Sequence, residues 1–309
     1  MKKLCIYHHN CADGFGAAYA VYKRFGDDVE FHPGVYQDPP PDVTGRAVIL
    51  VDFSYKQPVL AEMAKHANSI LVLDHHKSAE EDLHQWKREA QEEPQDFSEW
   101  NPELKHHQLG DAPVCAIFDT ERSGAMIAWQ FFHPKLSPPR LFEHIQDRDL
   151  WRFKLAGTRE IQAVVFSWPY DFAVWDTLVA RCDHALGCGE MIGEGKAIER
   201  KHFKDIDELL GVCTRFMEIA GYTVPVANLP YTLTSDAGHK LAQGQVFAAC
   251  YWDTPEGRVF SLRSAADGLD VSEIAKLYGG GGHRNAAGFR LPHGVDPATP
   301  PANDNLRLG

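Results

Sequence analysis

The feature that most constrains the fold is the apolar run Ile70-Leu71-Val72-Leu73, which ends abruptly in Asp74-His75-His76-Lys77. Four consecutive apolar residues bounded by polar ones suit a parallel strand buried on both faces, and open α/β sheets collect ligands at the carboxyl ends of such strands. The polar tetrad offers oxygen and nitrogen donors for a divalent metal, a protonatable group and a positive charge for a phosphate. Taken alone, it also suits a polar strand-end cap.

Two further segments repeat the arrangement. Residues 4–7 form a short strand that enters His8-His9-Asn10-Cys11-Ala12-Asp13-Gly14, where Gly14 permits a tight turn into a small-residue-rich helix. Residues 47–51 run straight into Asp52-Phe53-Ser54, with a helix expected over about 57–67. Asp13, Asp52 and Asp74 each close a strand, and acids at three strand ends can converge on one crevice. Asp52 by itself also reads as a helix N-cap. The first turn lacks the glycine patterns of dinucleotide and nucleoside-triphosphate loops, and its imidazoles, thiol and carboxylate are metal ligands instead.

Charge and cysteine usage narrow the function classes. The 309 residues carry a formal charge of -12, which argues against long duplex nucleic acid but not against a small anionic substrate held in a locally positive cleft. No apolar stretch approaches the ~20 residues that span a bilayer, and the amino terminus turns polar at His8, too early for a signal peptide. Seven widely spread cysteines read as reduced thiols, so the expectation is a cytoplasmic protein without a membrane partner.

His8 or His9 with Asp13, Asp52 after Val-Ile-Leu-Val, and Asp74-His75-His76 resemble the first three motifs of the DHH phosphoesterase superfamily, in its RecJ-like, nanoRNase-type branch. The resemblance implies an α/β protein: a parallel-sheet DHH catalytic domain with a smaller mixed α/β DHHA1 domain across a cleft. It implies Mn2+ as cofactor, one or two ions, with other divalent metals also fitting. It implies His8, Asp13, Asp52, His75 and Asp147 as metal ligands and His76 as the catalytic donor beside the phosphate. Asp147 enters through the fourth motif, an acid after a helix and before the aromatic Trp151, which leaves Asp149 to orient Arg148, a histidine or the backbone. The first motif departs from the family, because Cys11 stands where many relatives carry an aspartate, and a thiolate is a softer ligand than manganese prefers. His9, Cys11 and Asp74 stay open as alternative ligands, and His8 is preferred over His9 on its spacing to Cys11.

The resemblance extends into the second half. Gly279-Gly280-Gly281-Gly282-His283-Arg284 reads as a loop whose glycines approach phosphate oxygens while His283 and Arg284 add directed contacts. It resembles the substrate motif of the DHHA1 domain, and Ser261-Leu262-Arg263-Ser264 resembles that domain's Ser-x-Arg-Ser strand. Arg263, Gly281, Gly282, His283 and Arg284 are therefore substrate-binding candidates. Arg122, before the Ser123 helix cap, is another, in competition with a surface salt bridge. Cys182-Asp183-His184 and Cys188 read as structural, since the spacing lacks a second ligand pair for zinc. The polar stretch 78–113, with its charged runs and paired His106 and His107, reads as solvated helix and loop. The expected boundaries are 1–190 for the catalytic domain, 191–221 for a helical connector, 222–295 for the DHHA1 domain and 296–309 for a tail, loosely ordered from Pro292.

The expected function is metal-dependent hydrolysis of short oligonucleotides or dinucleotides to mononucleotides. The alternatives are an exopolyphosphatase or other small-molecule phosphoesterase, and a non-catalytic member that binds an anionic ligand.

Overall fold

The apolar runs become the inner strands of a parallel sheet. The computed structural model describes residues 3–87, 108–109 and 112–300, and the chain divides into two units, Met1–Glu199 and Arg200–Gly309. The glutamate-rich run after Arg88 and the histidine pair 106–107 lie outside the described residues.

In the first unit, β1 (Lys3–His8), α1 (Ala12–Phe25), β2 (Val29–Gly34), β3 (Ala47–Val51), α2 (Gln57–Ala64), β4 (Ser69–Asp74), α3 (Lys77–Asp82), β5 (Gln108–Leu109) and β6 (Ala112–Phe118) precede five helices. These are α4 (Gly124–Phe132), α5 (Arg140–Asp149), α6 (Thr158–Ser167), α7 (Phe172–Asp183) and α8 (Ala185–Cys213), the last of which continues into the second unit. The sheet order is β2-β1-β3-β4-β6-β5; β2 through β6 run parallel and β5 pairs antiparallel to β6.

The period of two along each strand divides its side chains between two apolar layers. Ile49, Val51, Leu71 and Leu73 join one core with α1, α4, α5 and α7, whereas Val48, Leu50, Ile70 and Val72 join the other with Leu60, Met63 and Trp86. This explains why the strands read as continuous apolar runs, and all six residues of β4 are buried. The chain passes from β1 to β2 on one side and then returns to place β3 on the other, which makes the β1–β3 boundary the switch point where such sheets open a crevice.

The second unit holds β7 (Thr214–Ile219), β8 (Tyr222–Asn228), α9 (Thr234–Leu241), β9 (Ala248–Thr254), β10 (Gly257–Arg263), α10 (Val271–Lys276), β11 (Gly281–His283) and β12 (Ala286–Leu291). Its sheet, in the order β11-β12-β10-β9-β8-β7, is mixed: β8 and β9 are parallel and the other pairs antiparallel. Phe289 stacks between Phe260 and Tyr278 at its centre. β7 occupies residues that the sequence had suggested as the end of a connector.

The residues after Pro292 are not loose as far as they are described. The Tyr278 hydroxyl donates to the Pro297 carbonyl at 2.5 Å, and Ala220 and Gly221 donate backbone N–H groups to Pro297 and Ala298. The carbonyls after β12 thus find donors at the β7–β8 turn, so the segment is held by backbone pairing that a composition rich in Pro and Asn does not reveal.

Candidate active site

His8, Asp52 and His75 leave the sheet at the same edge, because β1, β3 and β4 are parallel neighbours that end in register. Asp52 has a left-handed backbone, φ 53°, which Asp and Asn accept more readily than other side chains. Its carboxylate is buried between two imidazoles, with His75 Nε2 3.0 Å from Oδ1 and His8 Nδ1 3.5 Å from Oδ2. Neither oxygen receives a hydrogen bond of good angular geometry among the described residues. Gly124 makes the placement possible, since a Cβ there would stand 2.4 Å from Asp52 Cβ.

Asp13, in the first turn of α1, accepts N–H bonds from Gly124 at 2.6 Å and Ala125 at 3.0 Å. Its carboxylate therefore meets the amino-terminal donors of α4, whose N-cap is Ser123. The helix start that the sequence offered to an external anion is already taken by the protein's own acid. Asp13 Oδ2 also lies 3.5 Å from His75 Nε2.

The third acid of the cluster is Asp149, and Asp147, the ligand that the resemblance implies, lies outside it. Asp147 accepts backbone N–H bonds from Lys154 and Leu155 and the Thr158 hydroxyl, at 2.6–3.0 Å, and is thereby turned into the loop after α5. Asp149 Oδ2 instead lies 3.6 Å from His75 Nε2, buried and without a hydrogen bond. The fourth motif places Asp147 after a helix, but α5 continues through both acids, and residues two apart on a helix diverge by about 200°.

Two donor groups result, each with ligand atoms within 4.8 Å of one another: Asp13, His75 and Asp149, and His8, Asp52 and His76. The short His75–Asp52 contact joins them. His9 is exposed and outside both. Asp74 is fully buried and also outside; its Oδ1 accepts the N–H groups of His75 and His76 and the His76 ring Nδ1 at 2.7 Å. A carboxylate partner makes Nδ1 the protonated nitrogen, so Asp74 orients the His76 ring through this oxygen. Cys11 is the N-cap residue of α1 and belongs to neither group. Burial pushes its thiol pKa well up, and Asp52, Asp149 and Asp13 add to the effect, so the sulfur carries a proton in the metal-free protein.

Crowding of carboxylates shapes the electrostatics. Burial, then repulsion from Asp52 and Asp149, holds the Asp13 carboxyl well above its ordinary range, and burial likewise raises Asp149. Asp52 goes the other way: burial opposes ionisation, but the contacts from His75 and His8 outweigh it. Against its own burial, His75 is pushed up to about 10 by Asp52, Asp149 and Asp13. The metal-free cluster thus holds protons in the space that a cation would neutralise.

Other candidates lie elsewhere. Arg122 is bound to Asp119 and Gln130, both at 2.6 Å, the surface ion pair that competed with a substrate role. In the second unit, the glycine-rich stretch is a hairpin rather than an open loop: Gly281, Gly282 and His283 pair with β12 around a turn at Arg284 and Asn285. Gly282 has φ 140°, and a Cβ there would meet the Ala286 carbonyl at 2.6 Å. Arg284 donates to the Gly268 carbonyl and stands 3.8 Å from Asp270, so local contacts occupy it in part. Arg263 donates to Ser261, Leu262 and Ser235.

No family model matches the chain. It is 32% identical over 308 residues to uncharacterized protein R106 of Acanthamoeba polyphaga mimivirus, an alignment covering 92% of this chain and 66% of the relative. The chain therefore spans just under two thirds of that relative's length. Among solved structures it is similar to the DHH domain of a member of a ribosomal-protein family, with TM-score 0.54 and 12% identity over 94% of this chain and 83% of the other. It is also similar to a pGpG-specific phosphodiesterase from Vibrio cholerae, with TM-score 0.45 and 17% identity over 95% and 94%. The first likeness shows that the fold is that of a DHH-domain protein. The second is too weak to carry an argument.

Proposed function

We propose that the chain is a divalent-metal-dependent phosphoesterase of the DHH superfamily that hydrolyses short oligonucleotides or dinucleotides to mononucleotides. One observation carries the reading: Asp52, buried and without a well-formed hydrogen bond, stands between two groups of oxygen and nitrogen donors. Such orphaned carboxylate oxygens are costly unless a cation satisfies them, and their hardness fits manganese or magnesium better than a soft metal. His8 and Asp52 would hold one ion and Asp13, His75 and Asp149 a second. Bound there, divalent ions supply Lewis-acid charge and lower the pKa of an attacking water.

The chain's own residues do the rest. Asp74 accepts from His76 Nδ1 and, against the burial of the ring, raises its pKa, so that the protonated imidazole passes its Nε2 proton to the leaving oxygen and keeps the one on Nδ1. Asp13 is locked to α4, which fixes the distance between that helix and the cluster. In the second unit, His283 and Arg263, with Arg284 as a further contact, are assigned to the remaining phosphate or sugar. The charge of -12 favours a short substrate.

End-labelled dinucleotides and short oligomers incubated with manganese-supplied protein should yield mononucleotides. Exclusive hydrolysis of polyphosphate would replace this substrate class with the exopolyphosphatase alternative. Asp52→Asn should lose at least about a hundredfold in turnover, the scale of one lost charge-stabilising group; a folded variant with ordinary activity would reject the metal-centre assignment. Cys11 supports one second reading, a member that binds an anion without hydrolysis, and metal content measured beside the assay separates the two.

A further inference from the structure

We propose that His144, Cys182 and Cys188 form a second metal site, a buried zinc centre with one imidazole and two thiolate ligands where α5 meets the α7–α8 corner. Their ligand atoms lie within 4.8 Å of one another, and all three residues are buried. A zinc ion with bonds of about 2.3 Å to sulfur and 2.0–2.1 Å to nitrogen needs ligand atoms about 3.5–4 Å apart, so contraction by at most about 1.3 Å closes the shell. The thiols are 38 and 44 residues from the histidine, which is why spacing alone did not expose the set.

The local structure reads as construction for such a site. Asp183 accepts the N–H of Arg140 at 2.8 Å, pinning the end of α7 to the start of α5 and bringing Cys182 within reach of His144, one turn further along. The corner then reverses tightly: Cys188 donates its N–H to the His184 carbonyl, and a Cβ at Gly187 would stand 2.5 Å from the Arg181 carbonyl. His184 faces the Gly187 N–H through Nδ1 and takes no part in the cluster.

The imidazole is held in the form a metal requires. The Thr158 hydroxyl spends its one proton on Asp147 at 2.6 Å, so its oxygen accepts from His144 Nδ1 at 2.9 Å. His144 therefore carries its proton on Nδ1 and presents a lone pair at Nε2. This chain of carboxylate, hydroxyl and imidazole is the kind of outer-shell support that orients histidine ligands, and it gives Asp147 a task. Burial, followed by Arg140, lowers the His144 pKa and keeps the ring neutral. Burial and the neighbouring Cys188 push the Cys182 thiol up to about 12, so without metal it is protonated. Zinc binding releases one proton from each thiol, and a +2 ion with two thiolates is neutral overall, which lowers the cost of burial in this apolar core. Thiolate donors select zinc over the manganese expected at the carboxylate cluster, and three protein ligands leave one tetrahedral position without a protein donor.

The full chain, produced with zinc and then dialysed into manganese buffer, should retain one zinc per chain. Cys11→Ser should keep that zinc, and the Cys182→Ser/Cys188→Ser double variant should lose it. Because the double variant can fail on folding grounds, the unaltered chain supplies a second readout: cobalt exchanged for zinc should give thiolate-to-cobalt charge-transfer absorption, and the Cys11→Ser protein should show the same band. Absence of both zinc and band, loss of the band in Cys11→Ser, or two thiols missing from a titration of the unfolded metal-free chain, as a Cys182–Cys188 disulfide would give, overturns the proposal.

Discussion

Asp147 and Asp149 stand two residues apart and have opposite surroundings. Asp149→Asn removes an unsatisfied oxygen from the carboxylate cluster, so it should weaken manganese binding while leaving the thermal midpoint of the metal-free protein unchanged or raised. Asp147→Asn should do the reverse. Its carboxyl is held below the usual range, because bonds from Thr158, Lys154 and Leu155 outweigh the opposing effect of burial. A depressed folded-state pKa contributes stability above the unfolded value near 3.9 that is lost as pH falls through the folded value. Asp147→Asn should therefore cost about 1–3 kcal/mol at neutral pH and much less in acid, as read from denaturant unfolding at several pH values. His75 sets a second pH dependence. With its pKa pushed up to about 10, it must give up a proton to become a ligand, so manganese affinity should rise with pH across the neutral range. Calorimetry in buffers of different ionisation enthalpy measures the protons released, and an affinity independent of pH would contradict the proposed ligand set.

At the level of elements, what the sequence made legible was the backbone of the site. Residues 47–51 and 70–73 announced buried parallel strands, because a strand packed on both faces has no polar positions to interrupt it. Ser123 marked the start of α4, and the structure has it accepting from Met126. What remained hidden depended on the twist of an element or on contacts between distant ones. Asp149 was obscured because α5 gave no sign that it continues to the acids, and the glycine run looked like a loop although β-pairing consumes it. That Asp13 caps α4 spans 111 residues, and no local pattern encodes it. Gly124 tests this junction. Gly124→Ala would press a methyl against Asp52, so the helix must retreat; the expected result is a loss of about 1–3 kcal/mol together with lower activity.

For the whole molecule, separate apolar cores in the two units predict separable unfolding. Manganese at a hundredfold excess over its dissociation constant should raise the stability of the first unit by about 2.7 kcal/mol, leaving the other calorimetric transition in place. A uniform shift of all transitions would show one cooperative body instead. Among the described residues no helix is long and apolar enough to cross a membrane.

The left-handed backbone at Asp52 bears on descent as much as on chemistry. Most substitutions there disturb the turn as well as the charge, so they are removed by selection for folding even in a lineage released from catalysis. Asparagine is the one neighbour in side-chain shape that keeps the turn. A branch that has kept this fold while giving up the proposed hydrolysis should therefore carry asparagine at the position equivalent to Asp52 more often than alanine or serine, which would make that single site a marker for its loss.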